Sequence, residues 1–185
     1  QKRQWNLLPC HSLCFPGWAS NSLQSRGGAN VIRAWQNLRR NGRAGAKGIR
    51  IAVLDSGVAY RSLGQKFRRN PDFNARTFLP GYDFVQGDRL PLDLNGHGTH
   101  ITATIAQATN NGRELAGIAY GAKILPVRVI DANGFGTTLN IIRGIRWATR
   151  NGAQVINMSL NFECGTSISA LDDALLDARR AGIVL

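Results

Sequence analysis

From residue 49 onward, short apolar runs alternate with segments whose apolar side chains recur every three to four positions. This alternation constrains the fold more than any other feature. The apolar runs are Ile49 to Leu54, Ala122 to Val129, Gln154 to Ser159 and Ile183 onward, with another in Thr77 to Phe84 that Pro80-Gly81 interrupts. The segments of helical period are His97 to Ala108, Thr137 to Arg150 and Ser167 to Ala181. In the last, Leu171, Leu175 and Ala178 share a face, Ser167 or Ser169 is placed to cap the start, and Gly182 follows the end. Runs that are apolar on both faces make strands buried on both sides, and successive parallel strands need crossovers long enough to hold a helix. The expected fold is α/β, a doubly wound three-layer sandwich around a mostly parallel sheet. Its C-terminal edge should be incomplete, because Gly182-Ile183-Val184-Leu185 reads as a core strand cut midway.

Residues 1–28 are irregular, with Pro, Ser, Gly and two Trp, and read as an N-terminal arm; residues 29–185 read as one partial domain. The domain opens with a helix over Asn30 to Asn41 that places Val31, Trp35 and Leu38 on one face and stops at Gly42. No apolar run is long enough to cross a bilayer. Gln1-Lys2-Arg3-Gln4-Trp5 is basic but lacks a following apolar stretch, so a signal peptide was either removed or lies outside this sequence.

The formal net charge is +12. The basic residues are dispersed, with small clusters at Arg39-Arg40 and Lys66 to Arg69, and no run reaches the length of a binding tail. They are expected to form solvated faces, with no nucleic acid and no membrane as partner. The cysteines are Cys10, Cys14 and Cys164, which permit at most one disulfide. Cys10 with Cys14 is a possible pair in an oxidising compartment, and neither they nor His11 have the second spaced pair of a zinc site.

In a doubly wound sheet the ligand site lies beyond the carboxyl ends of the strands. Asp55 stands there, directly after Ile51-Ala52-Val53-Leu54. Taken alone, it is equally a strand-end carboxylate capping a turn. His97 lies between Gly96 and Gly98 at the start of a helical segment, where missing side chains on both sides let the imidazole project while the backbone packs closely. His100 is expected to face the packed side of that helix. A carboxylate that fixes the tautomer of an imidazole, and an imidazole that takes and returns a proton, are the first two parts of a triad.

The resemblance then becomes specific. Val53-Leu54-Asp55-Ser56-Gly57-Val58 is similar to the Asp motif of the subtilisin-like serine peptidases, and Asn95-Gly96-His97-Gly98-Thr99-His100 to their His motif. Val155-Ile156-Asn157-Met158-Ser159-Leu160 resembles the strand lining their substrate cleft, and Gly117 to Tyr120 and Leu125 to Val129 resemble the core between. The resemblance runs from about Gly28 to the end, in the order Asp, His, Ser that is peculiar to this family.

It implies a serine endopeptidase acting on polypeptides, with Asp55 and His97 as catalytic residues. The nucleophilic Ser and the oxyanion-hole Asn would lie beyond Leu185, so that this stretch alone is expected to be inactive. It implies a substrate strand held between Gly134-Phe135-Gly136 on one side and Ser159-Leu160-Asn161 on the other. It implies structural calcium, with Asp72 and Asn111 at one site and Asp83 and Asp88 at a second. A secreted or cell-envelope location and a monomeric complete protein go with the same reading. Departures are Ala103 and Asn161, each where the family usually has Gly, and Arg113 and Glu114 in place of small or apolar residues. Two other classes remain as alternatives: a non-catalytic relative that keeps the cleft for binding, and a nucleotide-binding doubly wound domain. Against the latter, Leu139 stands where a third phosphate-loop glycine is needed.

Overall fold

The computed structural model describes residues 30–112, 115–161 and 168–185. In chain order the elements are helix α1 (Val31–Arg40), strand β1 (Arg50–Asp55), strand β2 (Tyr82–Asp83), helix α2 (His97–Ala106), strand β3 (Lys123–Arg128), helix α3 (Thr138–Arg150), strand β4 (Val155–Asn157) and helix α4 (Ser169–Arg180). The four strands form one sheet in the order β2-β3-β1-β4. Every pairing between them is parallel, with Ile51 opposite Ile124, Asp55 opposite Arg128 and Ala52 opposite Ile156. The chain is therefore the α/β doubly wound fold that the alternation requires.

Side chains along a strand alternate between faces, and the core divides accordingly. Ala52 and Leu54 join Leu125, Val127 and Val129 under Ile141, Ile145 and Ala148 of α3 and Ala174 and Ala178 of α4. Ile51 and Val53 pack with Ile124 on the opposite face, against Ile101, Ile105 and Ala106 of α2. Asp55 continues the row of Ile51 and Val53, so its carboxylate emerges on the α2 face. Helix α1 makes a third, smaller cluster: Val31 and Trp35 pack on Ala116 and Tyr120, and the Trp35 indole donates to the Ile118 carbonyl at 2.7 Å.

Several elements are shorter than their sequence signals. The run Thr77 to Phe84 yields only β2, with Phe78 making a lone bridge to Ile124, because Pro80 has no N–H for a ladder. At the far end Val184 makes a single parallel bridge to Val155. Helix α4 begins one residue after Ile168, which offers no side-chain cap; Ser169 is the first helical residue, and Ser167 lies outside the described residues. The helix nevertheless buries the expected face, through Ala174 and Ala178.

Leu54 is wholly inaccessible whereas Leu139 on α3 is 53% exposed. Leu54→Ala should lower unfolding free energy by about 2–5 kcal/mol through the cavity it leaves, and Leu139→Ala by less than about 0.5 kcal/mol. Urea titration followed by circular dichroism checks both.

Candidate active site

Strand β1 delivers Asp55 to the sheet's carboxyl edge, where it is buried. Helix α2 begins at His97, and the imidazole Nδ1 lies 2.8 Å from Asp55 Oδ1 and 3.0 Å from Oδ2. A carboxylate only accepts, so Nδ1 carries the proton and Nε2 is the ring's basic nitrogen. The His97 side chain is 52% exposed, against 2% for Asp55. One partner is thus shielded and the other reachable by a reactant.

The close approach depends on Gly98. A Cβ there would lie 2.2 Å from the Gly57 carbonyl oxygen and 3.1 Å from Asp55 Cβ, so no other residue lets the first turn of α2 rest on the end of β1. His100, by contrast, is exposed. The expectation that it faces the core is corrected, because Gly98, Thr102 and Ala106 supply the buried side of α2.

Around the pair lies a network that pattern reading missed. Asp93 Oδ1 accepts from Ser56 Oγ at 2.9 Å, Asn95 N at 2.9 Å and Gly96 N at 2.8 Å. Its Oδ2 accepts from Thr99 N at 2.9 Å and Thr99 Oγ1 at 2.5 Å. Burial raises the pKa of Asp93, but the bonds from the Thr99 hydroxyl and the Gly96, Asn95 and Thr99 amides outweigh it and hold the carboxyl below its ordinary 3.8. The local half of this network was readable, since Asp two residues before Asn-Gly is an Asx-turn signal. The tie to Ser56 was not.

The two expected substrate rims leave the same sheet edge. Gly134-Phe135-Gly136 follows β3, Ser159-Leu160-Asn161 follows β4, and β1 with Asp55 runs between those two strands. The first rim is held by Asp131, whose Oδ1 accepts from Asn133 N and Phe135 N at 2.9 Å each, and by Asn95, whose amide donates to the Ala132 carbonyl at 3.1 Å. Phe135 is 75% exposed at its tip. Gly136 has an internal reason to be glycine, since a Cβ would meet the Val129 carbonyl oxygen at 2.8 Å. On the second rim Ser159 and Asn161 are exposed and Leu160 is half-buried against the core.

The two proposed cation sites differ. Asp72 is buried, the Asn111 amide contacts its Oδ1, and its Oδ2 has no partner among the described residues. A buried carboxylate oxygen lacking a donor fits a cation. Asp83 and Asp88 are joined through their backbones, Asp83 N donating to the Asp88 carbonyl at 2.8 Å. Asp83 Oδ2, however, accepts from the Arg128 guanidinium at 2.8 Å, and its Oδ1 from Val85 N at 2.7 Å and Gln86 N at 2.9 Å. With both oxygens engaged and a buried cationic side chain in contact, Asp83 does not fit a metal ion. That expectation is corrected. Among the described residues no group of three or more His, Cys, Asp or Glu converges as a metal cluster. Cys10, His11, Cys14, Arg113, Glu114 and Cys164 lie outside the described residues, as does the arm over 1–28.

The family model for Peptidase_S8, the subtilase family, matches residues 46–185. The chain belongs to the subtilases. It is 41% identical over 141 residues to a thermophilic serine proteinase of Bacillus sp. (strain AK1), covering 76% of this chain and 32% of that protein. To thermitase of Thermoactinomyces vulgaris it is 40% identical over 124 residues, 67% of this chain and 41% of the relative. It thus spans less than half the length of either. Among solved structures, one of the proteases from Pseudoalteromonas arctica PAMC 21717 superimposes with a TM-score of 0.69 at 33% identity, over 85% of this chain and 52% of the other.

Arg128 and Asp83 are both almost fully buried. Asp83→Asn should therefore cost this subtilase about 3–5 kcal/mol by leaving a buried guanidinium without its counter-charge. Asp88→Asn, which keeps an oxygen to accept from Leu90 N, should cost less than about 1 kcal/mol. Thermal unfolding of the two variants measures the difference.

Proposed function

We propose that the whole protein is a serine endopeptidase in which Asp55 and His97 are two members of an Asp-His-Ser triad. The observation that carries this reading is the 2.8 Å contact between His97 Nδ1 and Asp55 Oδ1 at the carboxyl edge of a subtilase sheet. On the resemblance, the attacking serine comes from sequence downstream of residue 185, and the stretch without it is inactive. Residues 29–185 are read as part of one peptidase domain.

In the chemistry proposed, the serine hydroxyl attacks the scissile carbonyl carbon as its proton passes to His97 Nε2. Asp55 holds the ring by Nδ1 and stabilises the imidazolium. The C–N bond then breaks, His97 gives its proton to the leaving amine, and water hydrolyses the acyl-enzyme by the same route. Half-exposure of His97 supports this role, because Nε2 must reach both serine and substrate. The substrate is a polypeptide laid as an extra strand between Gly134-Phe135-Gly136 and Ser159-Leu160-Asn161. Support for that placement is the position of the two loops on either side of the Asp55 strand.

Calcium is proposed at Asp72 and Asn111, supported by Asp72 Oδ2, which has no partner among the described residues. A turn of the Asn111 amide about its last side-chain bond would present oxygen rather than nitrogen to the ion. The metal would be structural, tying the segment at Asp72 to the loop after α2, where Ala108 N already donates to the Asp72 carbonyl at 2.9 Å. A secreted or envelope location and a monomeric state complete the proposal. Among the described residues no helix is long and apolar enough to cross a membrane.

In the complete protein, His97→Ala should lower kcat on a peptide anilide by about 10⁶-fold, a loss whose size is known from subtilisin itself. A serine-directed fluorophosphonate should block the unsubstituted protein. Retention of activity by His97→Ala would end the assignment. EDTA should lower the melting temperature of the complete protein, since an ion at 100 times its Kd adds about 2.7 kcal/mol. In Asp72→Ala the chelator should have no further effect, and an unchanged melting temperature in the unsubstituted protein would remove calcium from Asp72 and Asn111.

A further inference from the structure

We propose that Asp93 is a positioning residue that sets the Asp55–His97 geometry through Ser56 and the first turn of α2, an inference that rests on the endopeptidase reading above. Asp55 and His97 arrive on separate elements, so something must fix the end of β1 against the start of α2. Gly98 allows the approach without holding it. Gly96, at the formal cap of α2, has no side chain with which to accept the first amides of the helix.

Asp93 and Ser56 supply what Gly96 lacks. Asp93 accepts from Gly96 N, immediately before His97, and from Thr99 N, two residues after it. Of the two amides between, His97 N donates to Asn95 Oδ1 at 3.2 Å and Gly98 N to Ser56 Oγ at 2.9 Å. Ser56 follows Asp55 directly, and its hydroxyl donates in turn to Asp93 Oδ1. A last strand closes the network, for Thr99 Oγ1 donates to Asp93 Oδ2 and accepts from Ala59 N at 2.9 Å, just beyond β1. Residues flanking both members of the pair therefore converge on a single carboxylate.

The demand is for a carboxylate, not merely for a polar side chain. Five donor contacts fall on its two oxygens. An isosteric amide keeps one oxygen and turns an NH2 toward the N–H groups that the other served. Donor then faces donor, either at Thr99 or at Asn95, Gly96 and Ser56, and the first turn of α2 must shift. A misplacement of about 1 Å in a reacting group costs about 10²-fold in rate.

The test uses the complete protein with Asp93→Asn, Ser56→Ala, both together, and His97→Ala as reference. Steady-state kinetics on a peptide anilide would be taken at a temperature where unfolding curves show every variant folded. The proton spectrum would be searched for the low-field imidazole N–H bonded to Asp55. Asp93→Asn should lower kcat about 10²-fold with KM within about threefold, because an aligned reacting group is lost rather than a binding contact. The low-field resonance should shift or broaden. Ser56→Ala should lower kcat about tenfold, and the double variant should fall no further than Asp93→Asn alone, since both act through one network. Wild-type kcat in folded Asp93→Asn, a loss confined to KM, or multiplying effects in the double variant would each overturn the proposal. If Asp93→Asn does not fold, Ser56→Ala decides, with a tenfold loss of kcat supporting it and none overturning it. An inactive His97→Ala beside a fully active Asp93→Asn removes this inference alone, whereas an active His97→Ala removes the endopeptidase reading with it.

Discussion

The hydrogen bond between the imidazole at 97 and the carboxylate at 55 exists only because α2 sits on the end of β1 at a distance that excludes any side chain at residue 98. The rest of the arrangement follows from that approach. It draws Asp55 under the helix and out of solvent, leaves the ring half in the open, and brings the first amides of α2 within reach of Ser56 and Asp93. Packing enforces the distance from behind, because Ile51 and Val53 on β1 share a core with Ile101, Ile105 and Ala106 of α2. The functional edge and the apolar core are thus successive positions along the same two elements.

The two pairs read as cation sites show how a buried carboxylate can be satisfied in different ways. At Asp83 the fold supplies its own positive charge, since Arg128 lies beside it in register on the neighbouring strand. Removing two charges from water is costly and is offset only by good geometry and further hydrogen bonds; Val85 and Gln86 provide these to the carboxylate. At Asp72 no basic side chain among the described residues occupies that role, and one oxygen has no donor among them. The resemblance offered both pairs as cation sites, and the neighbour across the sheet sets Asp83 apart.

What was legible in the sequence followed from local rules. The apolar runs at Ile51 to Leu54 and Leu125 to Val129 marked central strands because both faces of each are covered, and the spacing of Val31 and Trp35 marked α1. Asp55 and His97 were legible because their flanking residues, especially Gly98, have a steric reason that any reader of the motif can state. What stayed out of sight came mainly from partners distant in sequence. Nothing in the run Ala122 to Val129 announces that Arg128 meets Asp83. No local signal ties Asp93 to Ser56, because that link spans 37 positions. At Gly136 the carbonyl of Val129 forbids a larger residue, a constraint that no local pattern announces.

Asp55, His97 and the side chains bonded around them come from one continuous stretch, from Asp55 to Thr99, with Val129 N and Ile130 N adding bonds to the Asp55 carbonyl from outside it. The apparatus is consequently modular. Under the endopeptidase reading proposed above, its alignment is encoded apart from any segment that supplies a nucleophile, so variation there would change or abolish attack while the Asp55–His97 pair stays aligned.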